Sequence, residues 1–217
     1  MGKKESIKRL ILFVLGLFIM SLGVSMTKFA ALGVTPISSV ANILSERIDS
    51  ISLGNFLILW NILLILGQIL ILRSDFDIKQ LIQLPISFLF GYFTDICLKF
   101  LVNFERNSYL SSLIYLFLGI FFLALGVSLT VIADIFLNSG EAFVKAISDK
   151  FDKNFGRVKV VFDVSCVLVS VILSLVFFKE IIGTREGTLI SAIFTGFLVN
   201  LIVEKIKNPI DKVLNLS

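Results

Sequence analysis

Six stretches of this sequence are long and apolar enough to sit in the core of a lipid bilayer. They run over roughly 10–29, 54–73, 80–101, 110–132, 157–178 and 185–204. A bilayer core needs ~20 helical residues. Lipid offers no partner to a backbone N–H or C=O, so each spanning segment must satisfy its own. The whole chain has 217 residues, is 57% apolar and has a mean hydropathy of +0.99. That leaves little for loops and nothing for a separate soluble domain. The expectation is an all-α, polytopic transmembrane helical bundle with the lipid bilayer as its surroundings.

The start of the chain fits this. Lys3, Lys4, Lys8 and Arg9 precede an apolar run too long for a signal-peptide core, with no small-residue cleavage site behind it. It reads as a retained first span whose basic end stays in the cytoplasm. The net charge of +4 comes from cations at helix ends, which membrane orientation explains without nucleic acid. Histidine is absent from the sequence, which removes the commonest general base and metal ligand. Cys97 and Cys166 lie inside apolar runs and read as small packing residues. No enzyme, metal site or cofactor is expected.

The chain also repeats itself, and repeats govern the fold wherever they occur. Leu10–Thr27 aligns without gaps to Leu113–Thr130, with ten of eighteen positions identical, among them Gly16, Gly23, Ser25 and Thr27. The register continues beyond the helix. Thr35 falls on Asn138, and each can cap a helix start. Pro36 follows Thr35 at a favoured first position. Glu141 stands three residues after Asn138, a variant of the capping box. With small gaps, Gly54 meets Gly156, Asn61 meets Asp163, Gly91 meets Gly196 and Asp95 meets Asn200. The domains expected are a first repeat over 1–102, a linker at 103–109 and a second repeat over 110–217.

Each repeat interrupts its first helix. GVSMTKFAALGVTPISSVANILSERID breaks near Gly33, and GVSLTVIADIFLNSGEAFVKAISDKFD breaks near Asn138. The short segments that follow, 36–49 and 139–152, are amphipathic and polar. Fourteen helical residues reach ~21 Å, short of a ~30 Å bilayer core. Two readings stay open for them: interfacial helices lying flat, or half-helices re-entering a wet cavity. If neither crosses, each half has three spans and the second half is inverted. The face of the N-terminus then carries 14 of the 20 cations, as the positive-inside rule wants. If both cross, the halves are parallel and that count hardly changes, so charge does not choose between the two; length and polarity favour the first.

Polar residues inside spans are costly and mark either pairing or a pathway. Asp163 pairs with Lys159 one turn earlier or lines such a pathway. Asn61, its counterpart, has no charge nearby and reads as helix–helix glue or as part of the same lining. Asp95 has Lys99 four residues on and reads as an ion pair. Asp134 and Glu141 flank the second break, where either could hold a cation or a proton.

The succession of Gly-Val-Ser-x-Thr helix end, Leu32-Gly33-Val34-Thr35-Pro36 break, short helix and degenerate second copy resembles the YczE/YyaS/YitT family of small bacterial integral membrane proteins. Ile37 stands where many members carry Trp, and Asn138-Ser139-Gly140 replaces a second Gly/Pro break. The resemblance implies a bacterial inner-membrane protein that moves a small solute.

The function expected is secondary transport of a small polar solute by alternating access between the two halves, and the alternative is a non-transporting membrane scaffold. Thr35, Pro36, Ser38, Ser39, Asn61, Asn138, Ser139, Glu141 and Asp163 are the expected binding residues. Asp134 and Asp163 are the expected coupling residues for H⁺ or Na⁺.

Overall fold

All six expected spans are helices. The computed structural model describes residues 3–214, with side chains over 4–210. The outermost ends of the two expected repeats, and the side chains of Lys3 and Lys212, lie outside the described residues. The helices are α1 (Lys3–Ala30), α2 (Pro36–Arg47), α3 (Leu53–Leu72), α4 (Gln83–Leu101), α5 (Tyr109–Ala133), α6 (Ser139–Lys150), α7 (Phe155–Phe178) and α8 (Glu186–Leu214). All but α2 and α6 are long and apolar enough to cross a membrane. No strand occurs among the described residues.

The helix ends follow local chemistry. The Ser52 hydroxyl accepts from the Asn55 amide and starts α3. Ser108 and Ser111 close a capping box on α5. α1 and α8 extend beyond their apolar cores, to Lys3 and Leu214, and Pro209 lies inside the last turns of α8 without ending it. The third span begins at Gln83 rather than 80, since Ile78–Ile82 forms a tight 3-10 turn. Both interrupted helices stop the same way. Ala31 (φ +53°) and Asp134 (φ +49°), aligned positions of the repeat, each turn the chain in left-handed geometry.

The centre of the bundle is the crossing of α1 and α5. In lipid, helices associate through close packing rather than through expulsion of water, and small residues permit it. A Cβ on Gly16 would stand 2.9 Å from the Gly126 carbonyl oxygen. One on Gly23 would stand 2.7 Å from the Gly119 carbonyl oxygen and would collide with the Leu123 backbone. Early α1 thus meets late α5, and late α1 meets early α5, so the two matching helices run antiparallel. Leu12, Phe13, Leu17, Met20 and Val24 pack with Leu123, Leu129 and Ile132 around this contact.

Hydroxyls fasten the next layer. Ser25 Oγ donates to the Thr94 carbonyl oxygen on α4 at 3.0 Å, and Ser128 Oγ donates to the Val199 carbonyl oxygen on α8 at 3.4 Å. Ser25 and Ser128 are repeat equivalents, and the alignment that sets Gly91 on Gly196 also sets Thr94 on Val199. Ser21 Oγ likewise donates to the Phe90 carbonyl oxygen one turn earlier, and Gly187 at the start of α8 lies against Leu116 in early α5, so α4 runs parallel to α1 and α8 parallel to α5. Each half holds three of the six helices that are long and apolar enough to cross a membrane. The start of α1, the α3–α4 junction and the start of α7 share one face of the bundle, called here the N-terminal face.

Asp95 differs from expectation. It does not pair with Lys99. Its carboxylate accepts from Ser52 Oγ at 2.6 Å and from the Gly54 amide at 2.9 Å. Gly54 and Gly91 bring α3 and α4 so close that the second amide of α3 and its cap hydroxyl reach Asp95, while Lys99 stays exposed.

The crossing predicts its own test. Gly23→Ala puts a methyl group into backbone, so overpacking should cost ~1–3 kcal/mol and lower the thermal unfolding midpoint in detergent. Gly196→Ala, with nothing within 4 Å of the new Cβ, should leave that midpoint unchanged.

Candidate functional site

α2 and α6 are the two short helices, each of 12 residues, or ~18 Å. Neither lies flat at the surface as an interfacial helix would. Their first turns are buried: Pro36, Ser38 and Ser39 in α2, and Ser139, Gly140 and Ala142 in α6. Their C-terminal ends emerge, at exposed Arg47 and Lys150, on opposite faces. The two N-termini meet. The Ile37 side chain fills the space that a Cβ on Gly140 would need, and these two residues are repeat equivalents. Glycine at 140, opposite Ile37, lets the two helix starts touch.

α3 and α7 flank this meeting point. Ser39 Oγ donates to the Cys166 carbonyl oxygen in the middle of α7 at 3.2 Å. On the α3 side, Gln68 Nε2 donates to the Ser139 carbonyl oxygen at 3.3 Å. Gln68 and Gln83 exchange amide hydrogen bonds of 3.0 and 3.1 Å, and the Ser87 and Ser139 hydroxyls stand 3.2 Å apart. Thr35 and Ser38 share a hydroxyl–hydroxyl bond of 2.7 Å.

Not every polar group is satisfied. Asn61 is 5% exposed and its Nδ2 has no partner. Glu141 Oε2 and Trp60 Nε1 are also buried without one. An unpaired buried donor or acceptor costs ~1–3 kcal/mol. Across from Glu141, α7 carries the Lys159–Asp163 ion pair. Burial pushes the Glu141 carboxyl above the usual carboxylate range; the Lys159 ammonium opposes that shift and the Asp163 carboxylate adds to it.

On the N-terminal face a cavity of about 830 Å³ is lined by Asp75, Lys79, Lys145 and Asp149 together with Gln83 and Ala142. Gln83 is one hydrogen bond from Gln68, which holds the start of α6. On the opposite face, Lys28 Nζ ties α1 to α2 through Asn42, Ser45 and Glu46 at 2.7–3.0 Å. The cavity there, lined by Lys28, Gly33, Asn42 and Arg185, is about 390 Å³.

The residues singled out from sequence divide accordingly. Thr35, Pro36, Ser38, Ser39, Ser139 and Glu141 belong to the two buried first turns, and Asn61 lies buried on α3, which packs against both short helices. Asn138 caps α6 by accepting from the Ser139 amide, but Glu141 does not close a capping box. Thr35 occupies the cap position of α2 without a side-chain cap bond, its hydroxyl being taken by Ser38. Asp163 is paired with Lys159 rather than free. Asp134 stands apart: it is exposed, and its left-handed backbone ends α5. Gln68, Gln83 and Ser87 were missed. Gln68 sits mid-span in LILGQILIL, and the rule that flags Asn61 would have flagged it.

A bundle of six spanning helices around two half-length helices, with polar groups buried at its centre, is the architecture of a multi-span membrane protein. Residues 7–204 match the model of a family of unknown function, DUF6198, and the chain belongs to that family. That match carries no activity and does not bear on the YczE/YyaS/YitT resemblance. No curated protein and no solved structure gives a match.

The Glu141 carboxyl yields a pH prediction. Its folded value lies above its unfolded value, so the folded state holds a proton that the unfolded state releases. The stabilisation is fully present below the unfolded value of about 4.3 and is lost as pH rises through the raised folded value. Unfolding midpoints in detergent should fall across that window, and Glu141→Gln should flatten the fall.

Proposed function

We propose that the protein is a secondary carrier for a small polar solute in a bacterial inner membrane, with its N-terminal face in the cytoplasm. The observation that carries this reading is the meeting of two half-helix N-termini at a buried polar centre. Helix N-termini present free amides and partial positive charge to a ligand. Broken helices facing each other across a repeat are how carriers build a mid-membrane site. The antiparallel α1–α5 crossing, with equivalent contacts on both sides of it, supports two inverted three-span halves. The 14 cations on the N-terminal face support the orientation.

In this reading, Ser38, Ser39 and Ser139 offer hydroxyls and amides to the solute, and Asn61 offers its unpaired Nδ2. Glu141, rather than Asp134, carries the coupling proton. Its carboxyl is buried and half-unpartnered, and the Lys159–Asp163 pair across from it changes balance when it ionises. Asp163 acts through that pair.

One observation favours a non-transporting scaffold instead: the Thr35–Ser38, Ser87–Ser139 and Gln68–Gln83 contacts satisfy each other internally. Uptake into proteoliposomes separates the two. A proton gradient should drive accumulation of at least one solute from a panel of small anions, zwitterions and neutral polar compounds. Glu141→Gln should abolish gradient-driven accumulation while leaving solute exchange. Flux no greater than that of empty vesicles for the whole panel rejects the carrier.

A further inference from the structure

One contact of the first half, between α3 and α4, has its parts but not its closure repeated in the second. On α3 and α4 the contact is closed. Ser52 and the Gly54 amide both donate to Asp95, and a Cβ on Gly91 would stand 2.5 Å from the Gly54 carbonyl oxygen. The second half retains the parts at the same spacing: Asn154 and Gly156 open α7, as Ser52 and Gly54 open α3. Gly196 and Asn200 stand four residues apart on α8, as Gly91 and Asp95 do on α4. Yet these parts do not engage. A Cβ on Gly196 would meet nothing within 4 Å, and one on Gly156 would meet only its neighbour Asn154. Asn200 is exposed, and Asn154 spends its side-chain oxygen on the Arg157 amide. The apolar windows of α7 and α8 are 17% and 11% buried, against 33% and 39% for α3 and α4.

The two places lie on opposite sides of the membrane. Gly54 begins α3 on the face where α1 ends, whereas Gly156 begins α7 on the N-terminal face. The same face carries the larger cavity reaching Gln83, and a second cavity of about 750 Å³ beside Asn154, Arg157 and Phe162. We infer that α7 and α8 close on each other through Gly156 and Gly196, with Asn200 bonding Asn154 or the Gly156 amide, in a second state of the molecule in which α3 and α4 part. The present structure is then the state open toward the N-terminal face. An amide suits the second clamp. Asn200 can accept from a backbone amide as Asp95 does, without an ionised group that must be stripped of water each time the clamp forms. This inference rests on the carrier reading for its purpose, but its geometry is tested independently.

The test uses paired cysteines in the full-length chain with Cys97 and Cys166 replaced by Ala, in native membrane vesicles under mild oxidation. The pair Ser52→Cys/Asp95→Cys should crosslink at once, because those side chains already touch. The pair Asn154→Cys/Asn200→Cys should crosslink more slowly, at the rate at which the second state is visited, since a disulfide needs Cα atoms within ~7 Å. Adding Gly196→Ala, which meets nothing in the present state but would press on the α7 backbone in the closed one, should slow that second crosslink roughly tenfold with no change in the unfolding midpoint. No crosslink between 154 and 200 while 52 and 95 join overturns the inference. So does a crosslink indifferent to Gly196→Ala, which would mark chance encounter. Crosslinking without solute flux rejects the carrier alone, and flux without crosslinking rejects the closure alone.

Discussion

Where α1 crosses α5, backbone touches backbone. Gly16 faces Gly126 and Gly23 faces Gly119, and the rest of the bundle takes its positions from that contact. Two helices held at this distance run antiparallel along one another. α4 then hangs on α1 through Ser25, and α8 hangs on α5 through Ser128, each by one hydroxyl reaching a neighbouring carbonyl. The short helices fill the space between, each flanked by α3 and α7. In a solvent as apolar as the side chains themselves, this close approach is what holds helices together, because burying leucine against leucine gains little over leucine against lipid.

Much of this was legible in the sequence because the bilayer leaves few choices. A run of the right length has to be a helix, and a break that recurs after about a hundred residues has to be a structural joint. The matching glycines and serines of Leu10–Thr27 and Leu113–Thr130 marked two helices as copies of one pattern, and the structure shows that these two cross each other. The Thr35/Asn138 register found both helix starts to the residue. What sequence could not supply was pairing between distant segments. Asp95 has a lysine one turn away, and local spacing therefore proposed an ion pair. Its true partners, Ser52 and Gly54, are some forty residues distant. The Gln68–Gln83 amide pair escaped notice for the same reason. Asp134 looked functional because it lies beside a break, yet what the chain needed there was a residue tolerant of left-handed geometry, the part that Ala31 plays in the first copy.

The candidate site shows how one motif takes on two chemistries. In the first copy, the third residue of the short helix is Ser38, satisfied by Thr35. In the second it is Glu141, buried and short of a partner. The backbones of the two starts are alike, down to extended cap residues at Thr35 (ψ 149°) and Asn138 (ψ 150°). The side chains placed on them differ, a neutral hydroxyl in one and an ionisable acid in the other. α7 sets Lys159 and Asp163 opposite Glu141, where α3 has Asn61 at the place equivalent to Asp163. One half of the centre is electrically quiet and the other can hold or release a charge.

The glycine crossing also decides which positions are tied together. Gly16 aligns with Gly119, yet it touches Gly126, the counterpart of Gly23. A side chain added at position 16 would press on the backbone at 126, and one added at 23 on the backbone at 119 and 123. The four glycines thus form two crosswise pairs, and the size allowed at each is set by the far end of the other helix rather than by its own counterpart.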